Sequence, residues 1–278
     1  IELDNNLLIA KILLAHTYRS SDYKKSMDLY TEVLKHAQKL NDNKMIAISY
    51  RCFSSLSYDN GNLVEALDMA NKAMNIYEKI GDEMGIAGCY NLLHTICTAR
   101  GEWNKSLEYI DKIQHIYEIL DYQDGLYDIY LSKSIAYSGK LEYDRAIDYL
   151  NIVLKKWETD NNKVGLAYIY NNLSYQYGRK CDYKTGFKYA SLSYKIAEQL
   201  NDKRIMPLPL IGIGRYHFFK QEYDKALDYF TQSLTIQKEI KLKIHEVPLL
   251  TNTYIALIYK FQGQKYNIDN IHHLIKKC

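Results

Sequence analysis

Apolar positions along the chain follow a pattern that repeats every 40 residues. An aromatic residue or Leu recurs at this interval, after an Asp, Asn or Glu, and the residue three positions later is small. The recurring large residues are Tyr23, Leu63, Trp103, Tyr143, Tyr183 and Tyr223, and the small ones are Ser26, Ala66, Ser106, Ala146, Gly186 and Ala226. An apolar residue follows each small one, so four positions keep their type through six copies. Such self-similarity at a fixed period is the signature of a repeat architecture.

Each copy predicts a pair of helices. In the second helix, apolar residues between Leu63 and Tyr77 recur at three- and four-residue steps, which is typical of an amphipathic helix. The Asp, Asn or Glu in front of this helix is placed to cap its first N–H groups. The first helix has its own apolar column at Tyr50, Tyr90, Tyr130, Tyr170, Leu210 and Leu250. Turn-forming pairs such as Asn41-Asp42 and Gly81-Asp82 separate the copies.

One helix pair cannot bury its own apolar face, so neighbouring pairs must stack. The predicted fold is therefore all-α: a right-handed α-solenoid of about seven antiparallel helix pairs, forming a single domain over residues 1–278. The predicted units are about 7–44, 45–83, 84–124, 125–163, 164–203, 204–243 and 244–278, the last one imperfect. Because the chain begins without Met and its last pattern stops abruptly at Cys278, we expect a fragment of a longer protein.

Composition supports long helices joined by short loops, since 28 Tyr stand against only 3 Pro and 13 Gly. A net charge of +3 is too small to predict binding of nucleic acid. The chain has no apolar run long enough to predict a membrane span and no signal-peptide pattern at its N-terminus. Five cysteines without a C-x-x-C pair indicate reduced thiols, and we expect a cytoplasmic protein.

Sequence motifs for catalysis are missing from the chain. It has no Walker motif, G-x-S-x-G, H-E-x-x-H or zinc-type Cys/His cluster, and no paired carboxylates suggest an acid–base site. We therefore expect no catalytic residues, no metal, no cofactor and no enzymatic activity.

The residues of the fifth copy resemble the tetratricopeptide repeat. The match covers Tyr170, Leu173, Ser174 and Tyr177 in the first helix, then the acidic-Tyr turn and small residue of the segment 182–186. The common repeat of that family has about 34 residues and ends in a Pro turn, whereas this one has 40 and uses Asn-Asp or Gly-Asp. The longer version is similar to repeats in animal spindle-orientation adaptors, in bacterial peptide-sensing regulators and in sensor segments attached to bacterial output domains.

The resemblance implies a protein or peptide partner lying along the first helix of each pair. The groove positions are then Lys11, Arg51, Asn91, Tyr168, Asn171, Asn172, Tyr175, Arg179, Arg215 and Asn252, with Arg19, Asp59 and Asp128 as further candidates. Asn side chains donate to and accept from a peptide backbone, and Arg binds carboxylates in pairs of hydrogen bonds. Five basic against two acidic candidates favour an acidic partner or a C-terminal segment. The simpler alternative is that all of these residues are merely solvated.

Two features limit or modify this prediction. The chaperone-binding members of the family need Asn where this chain has Ala15, so we do not predict a chaperone C-terminus as ligand, although Lys11 fits one position of that clamp. The sixth repeat carries two Pro and two Gly, over 207–214. They suggest either a hinge or close approach of a ligand, or simply that Gly214 fills the small position of the repeat.

Two functions remain open at this point. One is an adaptor or scaffold that holds a peptide segment in its groove. The other is a peptide-sensing regulatory segment of a multidomain bacterial signalling or transcription-regulatory protein. Self-association through an uncapped terminal repeat is a further expectation, since exposed apolar ends favour stacking.

Overall fold

The structure is a computed structural model that describes residues 2–19, 21–240 and 246–263. Within these ranges it contains thirteen α-helices and no strand, so the all-α class is confirmed. The chain divides into two compact units, residues 1–140 and 141–278, and each is described by itself. Residues 264–278, which hold the second half of the predicted seventh repeat, lie outside the described residues.

Consecutive helices in each unit are joined by short turns and pack against each other. Unit 1 contains α1 (Glu2–Tyr18), α2 (Tyr23–Lys39), α3 (Asn43–Asp59), α4 (Leu63–Ile80), α5 (Glu83–Ala99), α6 (Trp103–Ile119) and α7 (Gln123–Gly139). Unit 2 contains α8 (Tyr143–Thr159), α9 (Lys163–Arg179), α10 (Tyr183–Leu200), α11 (Pro207–Phe219), α12 (Tyr223–Glu239) and α13 (Glu246–Phe261). We call the odd-numbered helices, which come first in each predicted pair, A-helices and the even-numbered ones B-helices.

The small position of the repeat brings A- and B-helices into close contact. The buried Ser26 hydroxyl donates to the carbonyl oxygen of Ala15 at 3.0 Å, so two helix backbones approach across one small side chain. At Gly186 the approach is closer still, because a Cβ there would lie 3.2 Å from the carbonyl oxygen of Ser174. A large side chain at this position would push the two helices of a pair apart.

The residue in front of each B-helix caps it only where its side chain is short. Asp22, Asn62 and Asp182 each accept a hydrogen bond from the backbone N–H three residues later. Glu102, Glu142 and Glu222 occupy the same position and make no such bond, so the prediction that Glu caps these helices is wrong. The extra methylene of Glu sends its carboxylate elsewhere; Glu222 accepts from His217 and Lys225 instead.

The turns after α3, α5, α7, α9 and α11 each contain a residue with left-handed backbone conformation. Glycine supplies it at Gly61 and Gly101, with φ of 78° and 71°. In later copies the equivalent residues are Leu141, Cys181 and Gln221, with φ of 62–64°. Residues with a Cβ are strained in this region. The later copies nevertheless keep the same turn geometry without glycine.

The irregular helix α11 is held by packing. It begins at Pro207, where the missing N–H costs nothing in a first turn. A Cβ at Gly214 would lie 2.7 Å from the ring of Phe230, and one at Gly212 would lie 2.9 Å from Cβ of Ala190. The close approach at these glycines is therefore to neighbouring B-helices, which supports the simpler of the two explanations for Gly214.

None of the described helices is both long enough and apolar enough to cross a membrane.

Candidate functional site

The A-helices of unit 2 lie side by side on one surface. Helix α9 contacts α11, and α11 contacts α13, in addition to the contacts each makes with its B-helix neighbours. We call the surface formed by α9, α11 and α13 the A-helix face of unit 2. Six of the predicted groove residues lie on its first two helices: Tyr168, Asn171, Asn172, Tyr175, Arg179 and Arg215.

A stripe of exposed side chains runs along α9. Tyr168, Asn172, Tyr175 and Arg179 are separated by four, three and four residues, the spacing that places side chains on one helix face. The two tyrosines are 46% and 44% exposed. Asn171 lies next to the stripe and is half-buried. Large exposed rings alternating with an amide and a guanidinium offer both apolar area and hydrogen bonds to a ligand.

Arg179 is held at the C-terminal end of this stripe by a tyrosine of the preceding B-helix. Its Nε donates to the hydroxyl oxygen of Tyr143 at 3.2 Å, and the guanidinium lies 5.5 Å from the centre of the same ring. The hydrogen bond to Tyr143 raises the pKa of Arg179. Tyr143 thus orients the guanidinium without neutralising it.

Arg215 reaches from α11 across to α9. Its guanidinium covers Gly178 so closely that a Cβ at that position would clash with Nη2. Its Nε is buried and has no hydrogen-bond partner. Among the residues that the structure describes, no carboxylate forms an ion pair with Arg215.

Tyrosines surround the two arginines. Burial raises the pKa of Tyr254 on α13, while the positive charges of Arg215 and Arg179 oppose that shift. Burial also raises the pKa of Tyr183 to about 12, again against the charge of Arg215. Tyr254 itself is fixed by stacking on Phe230, with ring centres 4.9 Å apart. Both arginine charges therefore act on one tyrosine-rich region of unit 2.

The groove candidates of unit 1 are engaged in contacts of their own. Lys11 donates to Glu32 at 2.9 Å, and Arg19 is paired with Asp59. Asn91 is bonded to His94 of the same helix, with 3.0 Å between Oδ1 and Nε2. Arg51 is exposed and lies against Gly88 of α5. Partial desolvation of its carboxyl group, together with the charge of Asp124, raises the pKa of Asp128, although the residue as a whole is exposed.

Asn252 lies apart from the others because it is buried, with 4% of its surface exposed. The candidate site of unit 2 therefore consists of the α9 stripe with Arg215, and we leave Asn252 out of it.

Three residues of the site escaped the sequence prediction: Gly178, Tyr143 and Tyr254. Gly178 left a modest signal, since each equivalent position of the other copies carries a side chain, from Ser138 and Thr98 up to Tyr18, Tyr58 and Phe218. A lone glycine in such a column indicates that something large approaches the helix there. The two tyrosines left none, because tyrosine is frequent along the whole chain.

The described part of the chain holds no group of three or more His, Cys, Asp or Glu side chains placed to bind a metal ion. The site thus presents hydrogen-bond donors, rings and positive charge.

No family model matches the sequence, and no curated protein matches it either. Solved structures do match. A signal transduction ATPase with numerous domains from Pyrococcus horikoshii, which has a tetratricopeptide repeat sensor, is similar over 99% of this chain and 43% of its own, at 17% identity and a TM-score of 0.73. NprR in complex with its cognate peptide NprX is similar over 96% and 76%, at 13% identity and a TM-score of 0.66. This chain has a tetratricopeptide-type fold. A Rap protein complexed with competence and sporulation factor has the same fold over 98% of this chain and 86% of its own, at 13% identity and a TM-score of 0.64.

The tetratricopeptide resemblance and the α-solenoid class predicted from the sequence are both confirmed by these likenesses. At such low identity they establish the fold alone, because one scaffold serves many partners. This chain spans less than half of the Pyrococcus protein.

Proposed function

We propose that this chain binds a peptide segment of a protein along the A-helix face of unit 2. The observation that carries the proposal is the exposed stripe on α9, in which Tyr168 and Tyr175 flank Asn172 and Arg179 ends the row. Exposed aromatic rings supply contact area at low cost in side-chain entropy, as they do in other peptide-binding surfaces. The proposed role is non-catalytic.

Two of the similar structures support a peptide as the ligand. NprR was solved with its cognate peptide NprX, and a Rap protein was solved with competence and sporulation factor. Both share the fold over nearly all of this chain. We carry over the class of ligand only.

A display library of random peptides tests the proposal. Wild-type protein should enrich specific peptides, and the double variant Asn172→Ala/Arg179→Ala should lose that enrichment. The matched control is Asn151→Ala/Lys155→Ala on α8, which removes an exposed amide and an exposed cation from a B-helix of the same unit. Equal enrichment by wild type and the α9 variant would show that the stripe is not the binding site.

The second candidate function is a peptide sensor within a larger signalling protein. It is favoured by the likeness to the Pyrococcus ATPase, in which a tetratricopeptide repeat serves as sensor. The full-length gene distinguishes the two functions, since an adjacent output domain supports the sensor and an array closed by capping helices supports the adaptor.

Self-association and location are finer parts of the proposal. Helix α1 exposes Ile9 and Leu13, four residues apart on one helix face, at 47% and 61% of their surfaces, and we propose this face for contact with a second copy. Sedimentation analysis of Leu13→Asp against wild type tests it; an unchanged dimer would exclude α1.

Cys52, Cys89 and Cys97 are free and buried, which fits the cytoplasm as the compartment where the protein works.

A further inference from the structure

Among the side chains that the structure describes, no carboxylate pairs with Arg179 or Arg215 on the A-helix face of unit 2. Helices α9, α11 and α13 together contain one acidic residue, Glu246, at the first position of α13. The basic residues Arg179 and Arg215 lie on the same helices. In most folded proteins, half-buried guanidinium groups are paired with carboxylates, since an uncompensated charge away from water is costly.

The A-helices of unit 1 carry more acidic residues, and of their groove cations Arg51 alone has no ion pair among the described residues. Each of α1, α3, α5 and α7 carries at least one acidic residue. Lys11 is neutralised by Glu32 and Arg19 by Asp59. Two of the three groove cations of unit 1 are therefore already neutralised, whereas neither arginine of the unit 2 face forms an ion pair within the described residues.

Burial raises the pKa of Tyr254, and the positive charges of Arg215 and Arg179 both act to lower it, so the two guanidinium groups border one region. Arg215 covers Gly178, the residue directly before Arg179 in α9. The Nε of Arg215 is buried, which leaves its two terminal Nη groups as the donors for a ligand. Arg179 uses its own Nε for Tyr143 and likewise keeps its terminal nitrogens available. Two planar donor groups that pair with no carboxylate in the described part of the chain suit the binding of a carboxylate.

We propose that Arg215 and Arg179 together bind a carboxylate of the peptide ligand. This inference rests on the proposed peptide-binding function and specifies which chemical group the ligand must carry. The carboxylate is supplied either by an acidic side chain or by the C-terminus of the peptide. The adjoining stripe of Tyr175, Asn172 and Tyr168 then receives the residues next to it.

The test uses one random heptapeptide pool in four forms. The pool is made with or without Asp and Glu, and each version carries either a free or an amidated C-terminus. Retention on the immobilised protein is measured by mass spectrometry. A charged hydrogen bond contributes enough for about a tenfold difference or more, so the amidated pool without acids should be retained at least about tenfold less than the others. The two mixed forms show which source of carboxylate is used.

Variants separate the arginine clamp from the rest of the groove. Arg215→Gln should abolish the selection for carboxylates, and Arg215→Lys should keep part of it because the charge remains. Arg204→Gln is the matched control, since Arg204 lies in the same unit and is already paired with Asp202 at 2.6 Å. Thermal melts followed by circular dichroism confirm that each variant is folded before its retention is compared.

The outcomes distinguish this inference from the proposed function. If wild-type protein retains all four pools equally, or if Arg215→Gln keeps the full selection, the carboxylate clamp is overturned and peptide binding stands. If wild-type protein retains no pool, peptide binding itself fails and the inference falls with it.

Discussion

The guanidinium group of Arg215 lies on the backbone of Gly178, so a side chain of one A-helix occupies space that the neighbouring A-helix leaves open. The contact explains why the fifth copy has glycine at this position. In other copies the equivalent residues are as large as Tyr58 and Phe218. The absence of one side chain on α9 thus fixes the place of a charge on α11.

Gly178→Ala is expected to separate stability from binding. The new Cβ displaces the flexible end of Arg215, a cheap adjustment, and replacing a glycine at the C-terminal end of α9 gains less than the roughly 1 kcal/mol of a helix interior. The urea midpoint should therefore be unchanged or higher, whereas retention of peptides that carry carboxylates should fall. The control is Gly88→Ala on α5, which makes the same change beside Arg51. Loss of retention in both variants would contradict the role of Arg215.

His94→Ser is expected to flatten the pH dependence of stability. Burial lowers the pKa of His94 to about 4, from 6.5 for the free group. Between these values the unfolded chain binds more protons than the folded one, so stability is lost as the pH falls from 6.5 to 4. The loss should amount to roughly 1 to 3 kcal/mol.

The measurement for His94 is the urea midpoint at several pH values. Serine suits the position, because Ser54, Ser134 and Ser174 occupy it in other copies. The exposed His115 on α6 provides the control, and His115→Ser should keep the wild-type slope. An unchanged slope in His94→Ser would mean that His94 is accessible to protons in the folded state.

Gln221→Gly is expected to stabilise unit 2. Gln221 has a φ of 62°, which strains a residue with a Cβ, and glycine occupies the same turn position at Gly61 and Gly101. Relief of the strain should raise stability by about 1 kcal/mol, partly offset by the freer unfolded chain. Differential scanning calorimetry measures it. Gln221→Ala, which keeps the Cβ, should show no gain; equal gains in both would point to loss of the Gln side chain instead.

Asp182→Glu is expected to destabilise α10 although the charge is kept. The Asp182 carboxylate accepts from the backbone N–H of Thr185 at 3.1 Å, and Glu at the equivalent positions makes no such bond. The loss should be about 1 kcal/mol, as for other N-caps. Thermal melts of Asp182→Glu and Asp182→Asn test it, since Asn should retain most of the stability. A fully stable Glu variant would show that charge, rather than the hydrogen bond, acts at this end.

The sequence alone predicted the fold class because the same residue pattern recurs in six copies. Any single copy is ambiguous, but Tyr143, Tyr183 and Tyr223 recurring with the same neighbours leave few alternatives to stacked helix pairs. The prediction that Glu caps these helices was wrong, since sequence position does not show how a longer side chain will bend.

For the candidate site, the sequence predicted which side chains lie on the A-helices and could not predict their partners. Lys11 and Arg215 looked alike as basic groove residues. The structure pairs Lys11 with Glu32, whereas Arg215 has no ion pair with any carboxylate in the described ranges. An ion pair depends on where two helices place their side chains in three dimensions, and spacing along one helix does not contain that information.

The sequence by itself thus determined the period, the helices and the position of each turn, because these depend on local patterns of apolar, small and turn-forming residues. Only the tertiary structure decided which charges are neutralised. It also decided that the guanidinium group of Arg215 packs on Gly178. That contact joins two residues of different repeats, and their distance is set by the packing of α9 against α11.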